Sequence, residues 1–314
     1  MSKAKAKKRL ELGRIGVLMG GPSSEREISL KSGKAVYQAL KEQGLDVVPL
    51  DIRNDSSKKI KRAKISCAFI ALHGKFGEDG AIQRILESLR IPYTGSGVIA
   101  SRLCLDKLAS RRIFKQYNIP VPECDVLNRK SWQKRLKELT LKFPVVVKPS
   151  SQGSSIGITF VDKIRNLNRA INIAFKYDDT VMIEKYIKGK EITVGILEER
   201  PLPVVEIFPK RRFFDFQAKY VKGKSDYVVP AKLPKASYNQ AQRVGRLAHK
   251  ALGCRTFSRI DMILSRGTPF VLEVNSIPGL TRMSLLPMAA GACGVDFAQL
   301  CLKIVQSALK RSRE

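Results

Sequence analysis

The sequence predicts an α/β protein that begins as an open parallel sheet and continues through strand hairpins, and three observations carry this. Short apolar runs alternate with amphipathic stretches from Arg14 to about Thr94. A strand, a glycine- and serine-rich loop and a second strand follow one another between Phe143 and Val161. Near the end, Arg259 to Gly279 sets polar residues two apart on two short strands: Arg259 and Asp261, then Glu273 and Asn275. Residues two apart share a strand face, so Ile260, Met262, Leu272 and Val274 should face a core.

In the first segment, Ile15–Met19 reads as a buried strand ending in Gly20-Gly21. Ser24 and Glu27 have capping-box spacing for a helix with Ile28, Ala35, Val36, Ala39 and Leu40 inside, which Gly44 ends. Val47–Asp51 and Cys67–Leu72 read as further parallel strands, followed by a helix and a last strand. Ligands of such sheets collect beyond the carboxyl ends of the strands. Two loops fall there: Gly20 to Glu27, with Glu25 facing the crevice, and Leu72 to Gly80, with His73. Glu25 suits a substrate ammonium, and equally a first-turn acid answering the helix dipole. A lone histidine after a strand is more often structural than catalytic.

The next segment reads as a helix over Asp106–Tyr117, an extended Ile119-Pro-Val-Pro122, a helix over Ser131–Leu141, and the strand–loop–strand unit. That loop is not a Walker A motif, which needs GxxxxGK[ST] before a helix. Its backbone amides can still cover a phosphate, with Lys148 as counter-charge, and a plain turn would have the same composition. Thr180–Ile187 and Glu191–Leu197 read as strands, with the backbone of Glu184 and Lys185 suited to an adenine edge. The aperiodic stretch 209–237, rich in aromatics (Phe213, Phe214, Phe216, Tyr220, Tyr227), reads as a lid. An amphipathic helix ending at Gly253 precedes the polar hairpin, and a closing helix runs through Phe297, Ile304 and Ala308. If Ser265-Arg266-Gly267 forms a three-residue turn, Arg259, Asp261, Glu273 and Asn275 meet on one face. Two carboxylates and an amide oxygen suit Mg²⁺; an exposed face with an Arg–Asp pair is the alternative.

The 314 residues allow two or three domains, and the hydrophobic fraction of 44% is ordinary for a globular chain. No apolar run reaches the length of about 18–20 residues that a membrane span needs. The basic start, Met1 to Arg9, leads into no apolar signal core, so a cytoplasmic location is expected. Six cysteines show no metal or disulfide spacing. The 58 Lys and Arg against 28 Asp and Glu leave a net charge of +30. Its densest patch, Lys58, Lys59, Lys61, Arg62 and Lys64, lacks the interleaved aromatics of a stacking surface, so no specific nucleic acid is expected.

Taken together, Gly20–Ser29, Ala71–Gly80, Tyr93–Gly97, Val147–Ser150, Gly153–Gly157, Ile183–Tyr186, Ala218–Tyr220 and Leu272–Gly279 resemble, in order and spacing, the D-alanine–D-alanine ligase family of the ATP-grasp superfamily. The resemblance runs from Arg14 to about Ser307. It implies a three-domain ATP-grasp architecture, α/β in its N-terminal open parallel sheet and α+β in the ATP-grasp part. The expected divisions are a basic tail (1–12), a substrate domain (13–98), a central subdomain (99–186) and a C-terminal subdomain (187–314) with the lid at 209–237. It implies ATP-dependent joining of two D-alanines through a D-alanyl phosphate, for peptidoglycan precursor synthesis, by a homodimer. ATP would meet Lys107, Lys148, Ser155, Glu184, Lys185, Ile187 and Glu191. Asp261, Glu273 and Asn275 would hold two Mg²⁺ ions, with Mn²⁺ as a substitute. Glu25, tied through Ser154 to Tyr220, would hold the first ammonium, and Arg259 with Gly279 the oxyanion. His73, Lys219, Ser284 and Leu285 would contact the substrates. Gln152, Phe214 and Phe216 depart from the residues common in that family. The alternatives are an ATP-grasp ligase with another amino-acid or hydroxy-acid acceptor, and a basic nucleic-acid-binding protein.

Overall fold

The computed structural model describes residues 12–53, 56–140, 142–210 and 225–311. The basic tail up to residue 11 and the lid residues Phe213, Phe214, Phe216, Lys219 and Tyr220 lie outside the described residues. The first segment forms β1 (Ile15–Gly20), α1 (Arg26–Glu42), β2 (Val47–Ile52), α2 (Ser56–Ala63) and β3 (Cys67–Ile70), with α3 (Ala81–Ser88) after them. The sheet is parallel in the order β2-β1-β3, and every residue of β1 is buried.

Three expectations are corrected in this segment. A helix, α2, stands between the second and third strands, where the sequence suggested a direct step. β2 and β3 lie parallel on either side of β1, so the chain must cross over between them, and α2, strongly basic with Ile60 its only buried apolar residue, offers one apolar anchor and no repeated apolar stripe. The strand expected at Tyr93-Thr94 is a single bridge to Ala68; the Thr94 hydroxyl takes the Ile70 amide at 3.0 Å, and Pro92 has no amide to extend the ladder. The Ser24 capping box does not form. Helix α1 starts at Arg26, and Ser23 instead accepts from the Glu25 amide (3.1 Å) and donates to the His73 carbonyl (2.7 Å), joining the two loops.

Helices α4 (Val98–Leu105) and α5 (Lys107–Gln116) lead into the central sheet, with Asp106 capping the Leu108 and Ala109 amides of α5 at 3.0 Å. That sheet contains β4 (Cys124–Asn128), β5 (Val145–Pro149), β6 (Thr159–Val161) and β7 (Thr180–Lys185) in the antiparallel order β4-β7-β5-β6. The expected helix 131–141 is one turn, α6 (Trp132–Arg135), followed by a 3₁₀ turn; α7 (Leu167–Ala174) packs on β5. The third sheet has the order β11-β10-β8-β12-β13, with β9 (Arg200–Pro201) on β8. It is built from β8 (Lys190–Leu197), β10 (Val205–Pro209), β11 (Ser225–Val228), β12 (Phe257–Ser265) and β13 (Thr268–Asn275). Part of the stretch read as aperiodic is therefore strand, with Tyr227 opposite Ile207.

Helix α8 (Lys235–Ala251) covers this third sheet, and α9 (Leu285–Gly291) and α10 (Phe297–Arg311) close the chain. The last two helices share one core with the first sheet: Leu300, Ile304 and Val305 pack with Val17, Val36 and Phe69. Ile304 is fully buried there, so Ile304→Ala should cost about 2–5 kcal/mol in urea unfolding. A loss under about 1 kcal/mol would show that this shared core is not tightly packed.

Candidate active site

The polar hairpin owes its geometry to one extra residue. Arg266 and Gly267 form a two-residue turn with φ of 48° and 82°, the left-handed pair that tight hairpins use, and Ser265 pairs with Thr268. The expected three-residue turn is thus corrected. Continued unbroken, this register would set Asp261 opposite Leu272 and turn Glu273 to the other face. A bulge between Asp261 and Met262 absorbs Leu272, and beyond it Asp261 faces Glu273 and Arg259 faces Asn275. Ile260, Met262 and Val274 go to the core as expected; Leu272, at the bulge, lines the cleft instead.

The acids on this face are already paired. Arg259 holds Asp261 in a two-pronged contact (Nε–Oδ1 2.8 Å, Nη2–Oδ2 2.7 Å), joined by the Thr193 hydroxyl at 2.8 Å and the Asn275 amide nitrogen at 3.2 Å. Lys107 Nζ lies 3.2 Å from Glu273 and 2.6 Å from the Gln152 carbonyl. Across the cleft, Lys148 Nζ lies 2.7 Å from Glu184, whose other oxygen meets Arg111 at 3.0 Å. Arg111 was not selected from the sequence. Its only signal is its place four residues after Lys107, on the same face of α5.

Lys107, Lys148, Ser155, Glu184, Lys185, Ile187, Glu191, Asp261 and Glu273 line one cleft between the central and third sheets. It encloses about 900 Å³, part of it open to solvent. Among the described residues no three histidines, cysteines or acids converge. The oxygen set is two carboxylates and an amide, too few to close a cage. That fits a hard cation such as Mg²⁺, which draws its remaining oxygens from water and phosphate.

The glycine-rich loop reaches the first sheet. Ser154 donates a short hydrogen bond to Glu25, which is buried at the start of α1. Two glycines make room for that carboxylate: a Cβ at Gly74 would lie 2.4 Å, and one at Gly153 2.9 Å, from Glu25 Oε2. Ser154 and Ser155 have φ of 50° and 58°, conformations that side chains adopt at a cost and that the surrounding contacts hold. Asp178 anchors the loop's root, accepting from the hydroxyls of Ser150 (2.9 Å) and Ser151 (2.5 Å) and from the Ser151 amide (2.8 Å). Burial raises the Asp178 carboxyl, but its bonds from Ser151, Thr180 and Ser150 outweigh this and leave it below its ordinary range.

Glu78 is a second residue that the sequence reading passed over, although it lies in the Gly77-Glu-Asp-Gly80 run. Burial first, then the charge of Glu25 and, less strongly, of Glu273, pushes its carboxyl up to about 8 despite a 2.7 Å bond from the Gly74 amide. Ser284 stands just before α9 but does not cap it; its hydroxyl instead accepts from the Thr281 amide at 3.0 Å, close to Gly279. The Leu285 side chain is in the core, which leaves only its main chain for a ligand.

His73 is buried with Nε2 3.0 Å from the Ser32 hydroxyl. Burial, with a smaller contribution from the Arg259 charge, pushes it down to about 4, so it is neutral at physiological pH. Unfolded, it would titrate near 6.5. Its contribution to stability is therefore complete above about pH 6.5 and is lost as pH falls toward 4. Urea unfolding of wild type and His73→Gln at pH 7 and 4.5 should show wild type losing about 2–3 kcal/mol more than the variant. Equal losses would contradict a buried neutral imidazole.

The chain matches the family described as D-ala D-ala ligase C-terminus over residues 113–306, and its N-terminus counterpart over 14–59 and 54–96. It is 46% identical over 300 residues to the D-alanine--D-alanine ligase of Geotalea uraniireducens, covering 95% of this chain and 96% of that one. The ligase of Citrifermentans bemidjiense is 46% identical over 296 residues, covering 94% and 96%. The crystal structure of the Bacillus anthracis ligase complexed with ATP superposes with a TM-score of 0.83 at 36% identity, covering 96% and 98%. The VanG D-Ala:D-Ser ligase of Enterococcus faecalis gives 0.82 at 30%, covering 94% and 99%. A match of this extent, in sequence and in fold, makes the chain a member of the D-ala D-ala ligase family, with the ATP-grasp fold.

Proposed function

We propose that the protein joins two D-alanines to D-alanyl-D-alanine at the expense of ATP, through a D-alanyl phosphate, supplying a peptidoglycan precursor. The observation that carries this is two charge systems joined by the glycine-rich loop: Lys107, Lys148, Asp261 and Glu273 line the cleft, and Glu25, bonded by Ser154, lines the neighbouring pocket whose wall includes Gly153. A carboxylate is a poor electrophile until it is phosphorylated, and phosphoryl transfer calls for positioned positive charge rather than a protein nucleophile.

Lys107, Lys148 and the Ser155 turn hold the phosphates of ATP, and Glu184, Lys185, Ile187 and Glu191 surround its adenosine. The amides of Lys185 and Tyr186 already bond the carbonyls of Glu123 and Pro144, so the adenine edge falls to other main-chain groups near the end of β7. Glu25 takes the first D-alanine's ammonium and Ser154 fixes the Glu25 carboxylate. The neutral His73 sets the shape of the wall near the first carboxylate. Arg259 and the Gly279 amide receive the oxyanion as the second amine attacks. Ser284 and the main chain of Leu285 meet the second substrate. Asp261, Glu273 and Asn275 hold Mg²⁺ or Mn²⁺, which neutralises phosphate charge when bound. Tyr220, tied through Ser154 to Glu25, and Lys219, as a substrate contact, complete the site by the family resemblance, and the acyl phosphate is one that water would otherwise hydrolyse. The protein acts as a homodimer, a reading that the family resemblance supports, and in the cytoplasm, a reading that the basic start without an apolar signal core supports.

Phosphate release with ATP, Mg²⁺ and D-alanine tests the reading. Release with D-alanine, and little with D-serine or D-lactate as acceptor, is the expected outcome; release only with another acceptor would move the protein to a different ligase specificity. Glu273→Gln should lower kcat by about 10²–10³-fold with an unchanged melting curve. An unchanged rate would remove Glu273 from the metal-binding set.

A further inference from the structure

Helix α5 carries two buried cations on one face, Lys107 and Arg111, four residues apart and oriented by the Asp106 cap. Lys107 meets Glu273 of the third sheet. Arg111 meets Glu184 of the central sheet at 3.0 Å, and its Nη2 donates to the Pro122 carbonyl. Glu184 thus divides its two oxygens between Arg111 and, at 2.7 Å, Lys148. The side chains of Arg111, Lys148 and Glu184 are at most 6% exposed.

One carboxylate needs one cation for neutrality, and burying a second adds a desolvation cost that packing alone does not require. The group Arg111–Glu184–Lys148 carries a net charge of about +1, with Lys148 at the wall of the cleft. Without Arg111, Glu184 and Lys148 would form a neutral pair. Both carboxylate oxygens would turn to Lys148, which would have little field left for an anion.

We propose that Arg111 is a positioning residue for ATP: it occupies one oxygen of Glu184 and thereby leaves Lys148 the charge, and the fixed geometry, to hold a phosphate. The proposal rests on the reading of Lys148 as a phosphate ligand. Arg111 itself touches neither substrate nor metal.

Calorimetric titration of ATP and of adenosine into wild type, Arg111→Gln, Lys148→Met and the double variant tests this. Arg111→Gln should weaken ATP about tenfold to a hundredfold, the range of one charge-assisted contact, and leave adenosine, which has no phosphate, unchanged. In the Lys148→Met background, Arg111→Gln should add less than about twofold, because its effect passes through Lys148. Equal weakening of adenosine and ATP, or losses that add in the double variant, would overturn the proposal in favour of general damage to the cleft. If Lys148→Met weakens ATP and Arg111→Gln does not, the proposal alone falls. If Lys148→Met leaves ATP unchanged, the phosphate reading falls first and takes the proposal with it. Arg111→Lys keeps the charge on Glu184 but gives up the second prong to the Pro122 carbonyl, so its ATP affinity should fall between those of wild type and Arg111→Gln. A loss as large as that of Lys148→Met would count against the proposal even if Arg111→Gln does not fold.

Discussion

The site depends on a register. In a strand, neighbouring side chains point to opposite faces, so one residue gained or lost reverses everything beyond it. The two-residue turn at Arg266-Gly267 sets a register that would divide Asp261 from Glu273, and the bulge at Leu272 reverses it just before the acids are reached. Beyond the bulge the chain carries four polar groups on one face; before it, the apolar residues Met262 and Val271 are buried. The same residue that corrects the register also gives the cleft an apolar wall, since Leu272 lines it.

Charge in the cleft is held in pairs. Asp261 is held by Arg259, Glu273 by Lys107 and Glu184 by Lys148 and Arg111. Such pairs give each buried charge an opposite partner, without which burying it would be costly. Glu78 illustrates the contrast: burial first, and then the like charges of Glu25 and Glu273, raise its carboxyl to about 8. The cleft is therefore arranged before any ligand enters, and a binding anion competes for cations that already have carboxylate partners.

Much of this was legible in the sequence. The parallel strands at 15–20 and 67–70 are continuous apolar runs, that at 47–52 is apolar apart from Asp51, and the helix ending at Gly253 has a clear inner face. The shared face of Arg259, Asp261, Glu273 and Asn275 was anticipated through a three-residue turn; the structure reaches it through a two-residue turn and a bulge, whose parities agree. What escaped notice had no local pattern. Helix α2 buries one apolar residue, Arg111 is a cation in a strongly basic chain, and Glu78 acquires its character from Glu25 and Glu273, far away in sequence. The motif residues were recognisable by type and order, whereas their supports became visible only when the sheets were assembled.

The core shared by the first sheet and the last helix has a consequence for how the protein is made. Strands β1 and β3 and helix α1 leave the ribosome well before Leu300, Ile304 and Val305, which cover them, are synthesised. The parallel sheet can form its backbone ladder as it emerges, but one apolar side stays uncovered until that distant segment has followed. Premature termination therefore does more than delete a helix: it releases a nascent chain with an open hydrophobic face, the kind of surface that chaperones hold and that aggregates in their absence.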